Sequence, residues 1–193
     1  MMDEMVEVYT MEEKHELLRL ARDSIKAKLN DCPMPDDTVA LTDAMMARRS
    51  CFVTLHDKDG ALRGCIGNIG AFESLADNVI HNAVNAAFHD PRFLPLNSNK
   101  ELDGLVIEIS VLTEAQKVDT YRRIRLGEHG IILRRGQSGA VFLPQVAVEQ
   151  EWDLDTTLTQ LSLKAGLPPG AWKQPDTAFE VFRAIVFKEG DLA

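Results

Sequence analysis

Apolar residues in TMEEKHELLRLARDSIKAKLN (10–30) recur every three or four positions, so that Leu17, Leu18, Ala21, Ile25 and Leu29 fall on one stripe. That spacing predicts an amphipathic helix, and Thr10 with Glu13 forms the capping box that would start it. Two prolines in DCPMPDD (31–37) end the pattern and predict a loop. The period then drops to two. CFVTLHDKDGALRGCIGNI (51–69) reads as a β-hairpin about the four-residue turn DKDG, whose Gly60 can take positive φ. With that turn, Leu55 pairs with Leu62, Val53 with Gly64 and Phe52 with Cys65. Alternation then places Leu62, Gly64 and Ile66 on an inward face and Arg63, Cys65 and Gly67 on the other.

SLADNVIHNAVNAAFH (74–89) returns to helical spacing, with Ser74 as N-cap and Asp77 three residues on, and it should stop before Asp90-Pro91. GLVIEISVL (104–112) predicts a strand with Leu105, Ile107, Ile109 and Val111 on one face and Glu108 and Ser110 on the opposite one. GIILRRGQSGAVFLPQ (130–145) predicts a second hairpin turning over Gly136 to Gly139, with an exit into a loop over FLPQVAVEQEW (142–152). DTTLTQLSLKAG (155–166) predicts a short helix capped by Asp155 and ended by Gly166. AFEVFRAIVFKE (178–189) alternates as a final strand. Hairpins and scattered helices without a regular βαβ alternation imply an α+β fold, with a largely antiparallel or mixed sheet and flanking helices.

Composition changes this picture little. A chain of 193 residues with 45% hydrophobic and 26% charged residues suits one globular domain spanning 1–193, with room for two lobes. No apolar run is long enough to span a membrane, and the acidic start lacks the features of a signal peptide, so the expected location is cytoplasmic. Charge is more selective. A net charge of -9 counts against nucleic acid, and the short basic clusters YRRIRL (121–126) and LRRG (133–136) read first as solvated strand and turn charge, second as a local anion site. Cys32, Cys51 and Cys65 form no CxxC pair, which points to reduced thiols and no structural metal site.

Candidate chemistry gathers around residues 62–70, LRGCIGNIG. Gly64, Gly67 and Gly70 match neither the dinucleotide fingerprint nor the phosphate loop. They serve either close backbone approach or a ligand, and Gly64 and Gly67 are the candidate ligand contacts. Cys65 shares its strand face with Arg63 and precedes a helix, surroundings that favour a thiolate nucleophile; its alternative role is a small apolar filler. His129, between Gly127 and Gly130, is the candidate acid or base, against a loop histidine bonded to backbone. Glu108, mid-strand among apolar residues, is the candidate second proton carrier if it is buried with a partner. His81, Asn85 and His89 line one helical stripe, where a polar surface explains them better than a metal. Asp90 and Arg92 in DPRF (90–93) suit a turn-stabilising pair.

Together LRGCIG (62–67), AAFHDPRF (86–93), LVIEISVL (105–112), GEHGIIL (127–133), FLPQVAVEQEWD (142–153) and LKAGL (163–167) resemble the AMMECR domain family, whose microbial members are called AmmeMemoRadiSam system protein A. The likeness runs in order from about residue 15 to 188. It departs in detail at Leu94, where proline often follows DPRF, and over the acidic start. The resemblance implies an α+β fold in two unequal lobes, with the LRGCIG segment beside a cleft that would be an active or binding site. It also implies companions: a Memo-like protein and a radical S-adenosylmethionine enzyme. The three-cysteine motif of the latter is missing here, so any iron–sulfur chemistry would belong to that partner. The family's activity and cofactors are left unknown by the resemblance. Two functions follow as expectations: an enzyme or enzyme component acting on a small, anionic substrate through Cys65 and Arg63, or a non-catalytic ligand- or protein-binding partner.

Overall fold

The structure, a computed structural model, describes residues 9–35 and 41–191; the acidic start and the end of the 31–37 loop lie outside the described residues. Its helices are α1 (Met11–Leu29), α2 (Asp43–Met46), α3 (Leu75–Phe88), α4 (Asn99–Asp103), α5 (Pro144–Glu149) and α6 (Leu154–Lys164). Its strands are β1 (Cys51–His56), β2 (Leu62–Gly67), β3 (Val106–Leu112), β4 (Gln116–Val118), β5 (Gly130–Arg135), β6 (Ser138–Phe142), β7 (Ala178–Phe182) and β8 (Ala184–Lys188). They form two four-stranded sheets, and the fold class is the expected α+β.

Two compact units result, one drawn from the chain before Thr113 and after Ala184, the other spanning Thr113–Ala184. The first holds a sheet in the order β2-β1-β3-β8. Its buried side chains alternate along the strands, Val53 and Leu55 on β1 and Ile107 and Ile109 on β3, and join Leu17, Leu20, Val79 and Ala83 of α1 and α3 in one core. The Thr10–Glu13 box closes α1 as its sequence predicts, the Thr10 hydroxyl accepting from the Glu13 N–H at 3.2 Å and Glu13 accepting from the Thr10 N–H at 2.8 Å. Ser74 caps α3 through the Asp77 N–H at 3.1 Å.

The second unit holds a sheet in the order β4-β7-β5-β6. Leu133, Leu158, Leu161, Trp172 and Phe179 form its core. Its two ends meet: the Thr113 N–H donates to the Arg183 carbonyl, and the Arg183 N–H to the Thr113 hydroxyl, both at 2.9 Å. The basic clusters here are matched by carboxylates, Arg134 with Glu180 at 3.5 Å and Arg135 with Asp176 at 2.9 Å, as solvated strand charge should be.

Several boundaries differ from the sequence reading. The first hairpin pairs Thr54 with Cys65 and Leu55 with Gly64, two residues out of the expected register. Half of that shift comes from the turn, which takes in Ala61 through an Asp57 N–H to Ala61 carbonyl bond of 2.9 Å. The rest is a bulge, since the register slips between Leu55 and His56 and leaves Arg63 as the extra residue. A bulge upsets alternation, so Leu62 is 41% exposed and not inward. The second hairpin turns on Gly136 and Gln137 alone, with Gly136 at φ 57° and Gly139 already in β6. Pro144 opens α5 at its first turn where a loop was expected. Asp153, not Asp155, caps α6, accepting from the Thr156 N–H at 2.8 Å. The final alternating run breaks at Arg183 into β7 and β8, which belong to different sheets.

Candidate functional site around Cys65

Register builds the site. Cys65 pairs with Thr54, and Thr54 pairs with Glu108, so three polar side chains stand in one row across β2, β1 and β3. Their face is opposite to that of Val53, Leu55 and Ile109, which are fully buried in the core. The Thr54 hydroxyl donates to Cys65 Sγ at 3.3 Å. Strand spacing of about 4.8 Å puts the Glu108 and Cys65 backbones about 10 Å apart, with Thr54 between them. His56 joins the face two residues along β1, its Nε2 3.9 Å from Glu108 Oε1. All four side chains are half-buried. Cys65 and Glu108 stood out in the sequence, whereas Thr54 and His56 did not; they follow only once β1 is known to be the strand between.

The backbone of Cys65 is held separately. Asp90, buried just after α3, accepts the Cys65 N–H at 2.9 Å on Oδ2. The Arg92 guanidinium donates to Asp90 through Nε at 2.9 Å and Nη2 at 2.7 Å, and Nη2 also donates to the Cys65 carbonyl at 3.3 Å. Arg92 is the main reason the Asp90 carboxyl is held well below the usual carboxylate range; the Cys65 and Arg92 backbone N–H groups add to it against the opposing effect of burial. Asp90 in turn raises Arg92, with a smaller contribution from Cys65.

Arg63, expected to serve Cys65, is engaged elsewhere. It bonds Glu101 at 2.9 Å and the Leu94 carbonyl at 2.9 Å, and it stands 6.0 Å over the Phe93 ring. Among the described residues Arg92 is therefore the cation that bonds Cys65, at its backbone carbonyl. The glycines also have neighbours of their own. A Cβ on Gly64 would sit 2.2 Å from the Ala86 carbonyl oxygen, and one on Gly67 would meet the Phe52 ring at 2.3 Å. One on Gly70 would meet the Phe72 ring at 2.2 Å. The bareness of LRGCIGNIG thus lets α3 and two aromatic rings come close.

His129 belongs to the second unit, where its Nδ1 accepts the Arg125 N–H at 3.1 Å. The His81–Asn85–His89 stripe divides into separate contacts: His81 bonds Glu73 at 2.8 Å and His89 bonds Asn85 at 3.1 Å. Among the described residues no three metal-binding side chains gather closely enough to hold an ion, and no helix is long and apolar enough to cross a membrane. A buried asparagine cluster escaped the sequence reading altogether. Asn78 accepts the Cys51 N–H at 2.9 Å, Asn82 donates to the Cys51 carbonyl at 3.2 Å, and both donate to Asn68 at 2.8 and 3.0 Å. Burial pushes the Cys51 thiol up to about 12.

A family model described as AMMECR1 matches residues 18–187. A Methanopyrus kandleri protein is 40% identical over 192 residues, covering 96% of this chain and 92% of its own. A Methanothermobacter thermautotrophicus protein is 39% identical and covers 92% and 95% respectively. The crystal structure of an uncharacterized Pyrococcus horikoshii protein superposes with a TM-score of 0.80 at 35% identity, covering 91% of this chain and 90% of that one.

Proposed function

The chain belongs to the AMMECR1 family, and from that premise we propose that it is an enzyme or enzyme component whose reacting group is the Cys65 thiol. The observation that carries the reading is the polar row, in which Thr54 bonds the sulfur and Glu108 and His56 lie beyond it on the same face. A nucleophilic cysteine needs partial exposure, a hydrogen-bond donor at sulfur and a nearby cation. Cys65 has Thr54 as donor and Arg92 as cation. The Glu108–His56 pair shares the face of the thiol and would exchange a proton with a substrate lying over Thr54. A small substrate with an anionic group suits the half-exposed Arg92 guanidinium beside the thiol.

The three cysteines supply their own controls. Cys32 is exposed, Cys51 buried and Cys65 between them. Iodoacetamide labelling of the native protein at neutral pH, resolved by peptide mass spectrometry, should modify Cys65 about tenfold faster than Cys32. A Cys65 rate equal to or below that of Cys32 would overturn the proposal, because exposure alone would then explain the order.

A further inference from the structure

The DPRF segment ends α3, but its side chains reach further than a helix stop requires. Among the described residues β2 is an edge strand, so its outer peptide groups have no strand to pair with. At Cys65 two side chains take that place. Asp90 accepts the N–H at 2.9 Å and Arg92 donates to the carbonyl at 3.3 Å, so donor and acceptor of one residue are both satisfied. The carboxylate and guanidinium are themselves joined at 2.7 and 2.9 Å, which makes them one rigid fork. Water could satisfy an exposed edge peptide at no cost to the fold. Here a carboxylate whose side chain is only 2% exposed does so, with its partner arginine 54% exposed. Burying a charge for a bond that solvent would supply points to a need for position.

Two further contacts fix Cys65 and the glycine before it. The Ala86 carbonyl packs beneath the neighbouring Gly64, and the Thr54 hydroxyl bonds the sulfur from β1. Cys65 is held from the outer edge and from the adjoining strand, and Gly64 before it from below. We infer that Asp90 and Arg92 are positioning residues for Cys65, a charged fork that fixes its backbone at the sheet edge and sets a guanidinium beside its thiol. The purpose of the fork rests on the reading of Cys65 as the reacting group, whereas its geometry does not.

The test uses the full chain with Asp90→Ala, Arg92→Gln and the conservative Arg92→Lys, each checked for a cooperative thermal transition. Two readouts are taken: amide hydrogen exchange at Cys65, referred to Val53 in the core, and the iodoacetamide rate of Cys65 divided by that of Cys32. Asp90→Ala, which removes the acceptor, and Arg92→Gln should each raise Cys65 exchange relative to Val53 by about tenfold. Arg92→Gln should also lower the labelling ratio by about fivefold, with Arg92→Lys recovering most of it because the charge returns. Cys65 exchange within twofold of wild type in both variants would overturn the fork. A labelling ratio that holds or rises in Arg92→Gln would overturn its service to the thiol. Should Arg92→Gln fail to fold, Arg92→Lys decides the first point, since a single ammonium nitrogen cannot keep the two-nitrogen hold of Nε and Nη2 on Asp90 and must still raise exchange. If wild-type Cys65 labels no faster than Cys32 while exchange rises in the variants, the fork stands and the proposed function falls.

Discussion

Gly64→Ala is the substitution that most directly probes how β2 meets α3. The added methyl would lie 2.2 Å from the Ala86 carbonyl oxygen and 3.2 Å from its carbon, whereas real Cβ contacts essentially never fall under 3.0 Å. The strand and the end of the helix must part by at least the difference, and both offending atoms are backbone, so no rotamer relieves the clash. Parting them opens the packing around Ala83, Ala86 and Ala87, all nearly fully buried. Overpacking of a close-fitted core costs about 1–3 kcal/mol, and a backbone-to-backbone clash belongs at the top of that range. Alanine returns about 0.5–1 kcal/mol through the less flexible unfolded chain, leaving a net loss of roughly 2 kcal/mol. For a chain of this size that lowers Tm by about 4–8 °C. Urea and thermal unfolding measure it, with Gly136→Ala as the reference. Gly136 has open space around it but φ 57°, so alanine there meets strain of about 1 kcal/mol and no clash. A Gly64→Ala cost below that of Gly136→Ala would refute the close approach.

Three other outcomes follow. The Asp90 carboxyl is lowered by folding, chiefly by Arg92, so its stabilisation is complete above the ordinary aspartate value of about 3.9 and is lost as pH falls through the lower folded value. The stability difference between wild type and Asp90→Asn should therefore be flat from about pH 5 to 8 and shrink on further acidification; a gap that persists in acid contradicts the assignment. Cys51 is raised to about 12, so its contribution is intact below the unfolded thiol value of about 8.5 and declines as pH rises between the two. Cys51→Ala should flatten the alkaline limb of the stability profile, and an unchanged limb would mean that the thiol is not buried in the folded state. Thr54→Val should slow Cys65 labelling by about threefold while Thr54→Ser keeps it near wild type, since the hydroxyl that bonds sulfur is what differs; equal rates in the two variants would remove Thr54 from the site.

Periodicity made α1, α3 and the buried faces of β1 and β3 legible, because their apolar residues repeat at the spacing of the element that buries them. Thr10 and Ser74 were equally plain, since a cap is written within four residues. The hairpin register was not, because it hangs on Asp57. Its carboxylate accepts from the Asp59 and Ala61 N–H groups, both at 2.9 Å, and so adds a residue to the turn that DKDG seemed to complete. Pro144 carried a readable signal, proline at a first helical position, which the loop reading passed over. The change of sheet at Arg183 left no trace in the sequence, as alternation continues straight through it. At the site, Cys65 and Glu108 were found by their odd placement on strand faces. The Asp90–Arg92 contact with Cys65 joins segments some 25 residues apart, and no local pattern encodes it.

The two crossings of the chain, at Thr113 and at Arg183, have a consequence for how the protein is made. The strand β8 that completes the first sheet is synthesised only after residues 113–183. A ribosome adding about 5–20 residues per second would leave β3 bare on one edge for several seconds, while the later unit is still being threaded out. During that interval β3 offers unpaired amides and carbonyls to any other extended chain. The inserted unit needs no such wait, because Thr113 and Arg183 close it upon themselves. Released chains that end before residue 185 should therefore display a finished inner module on an unfinished host, the reverse of the order in which their residues emerge.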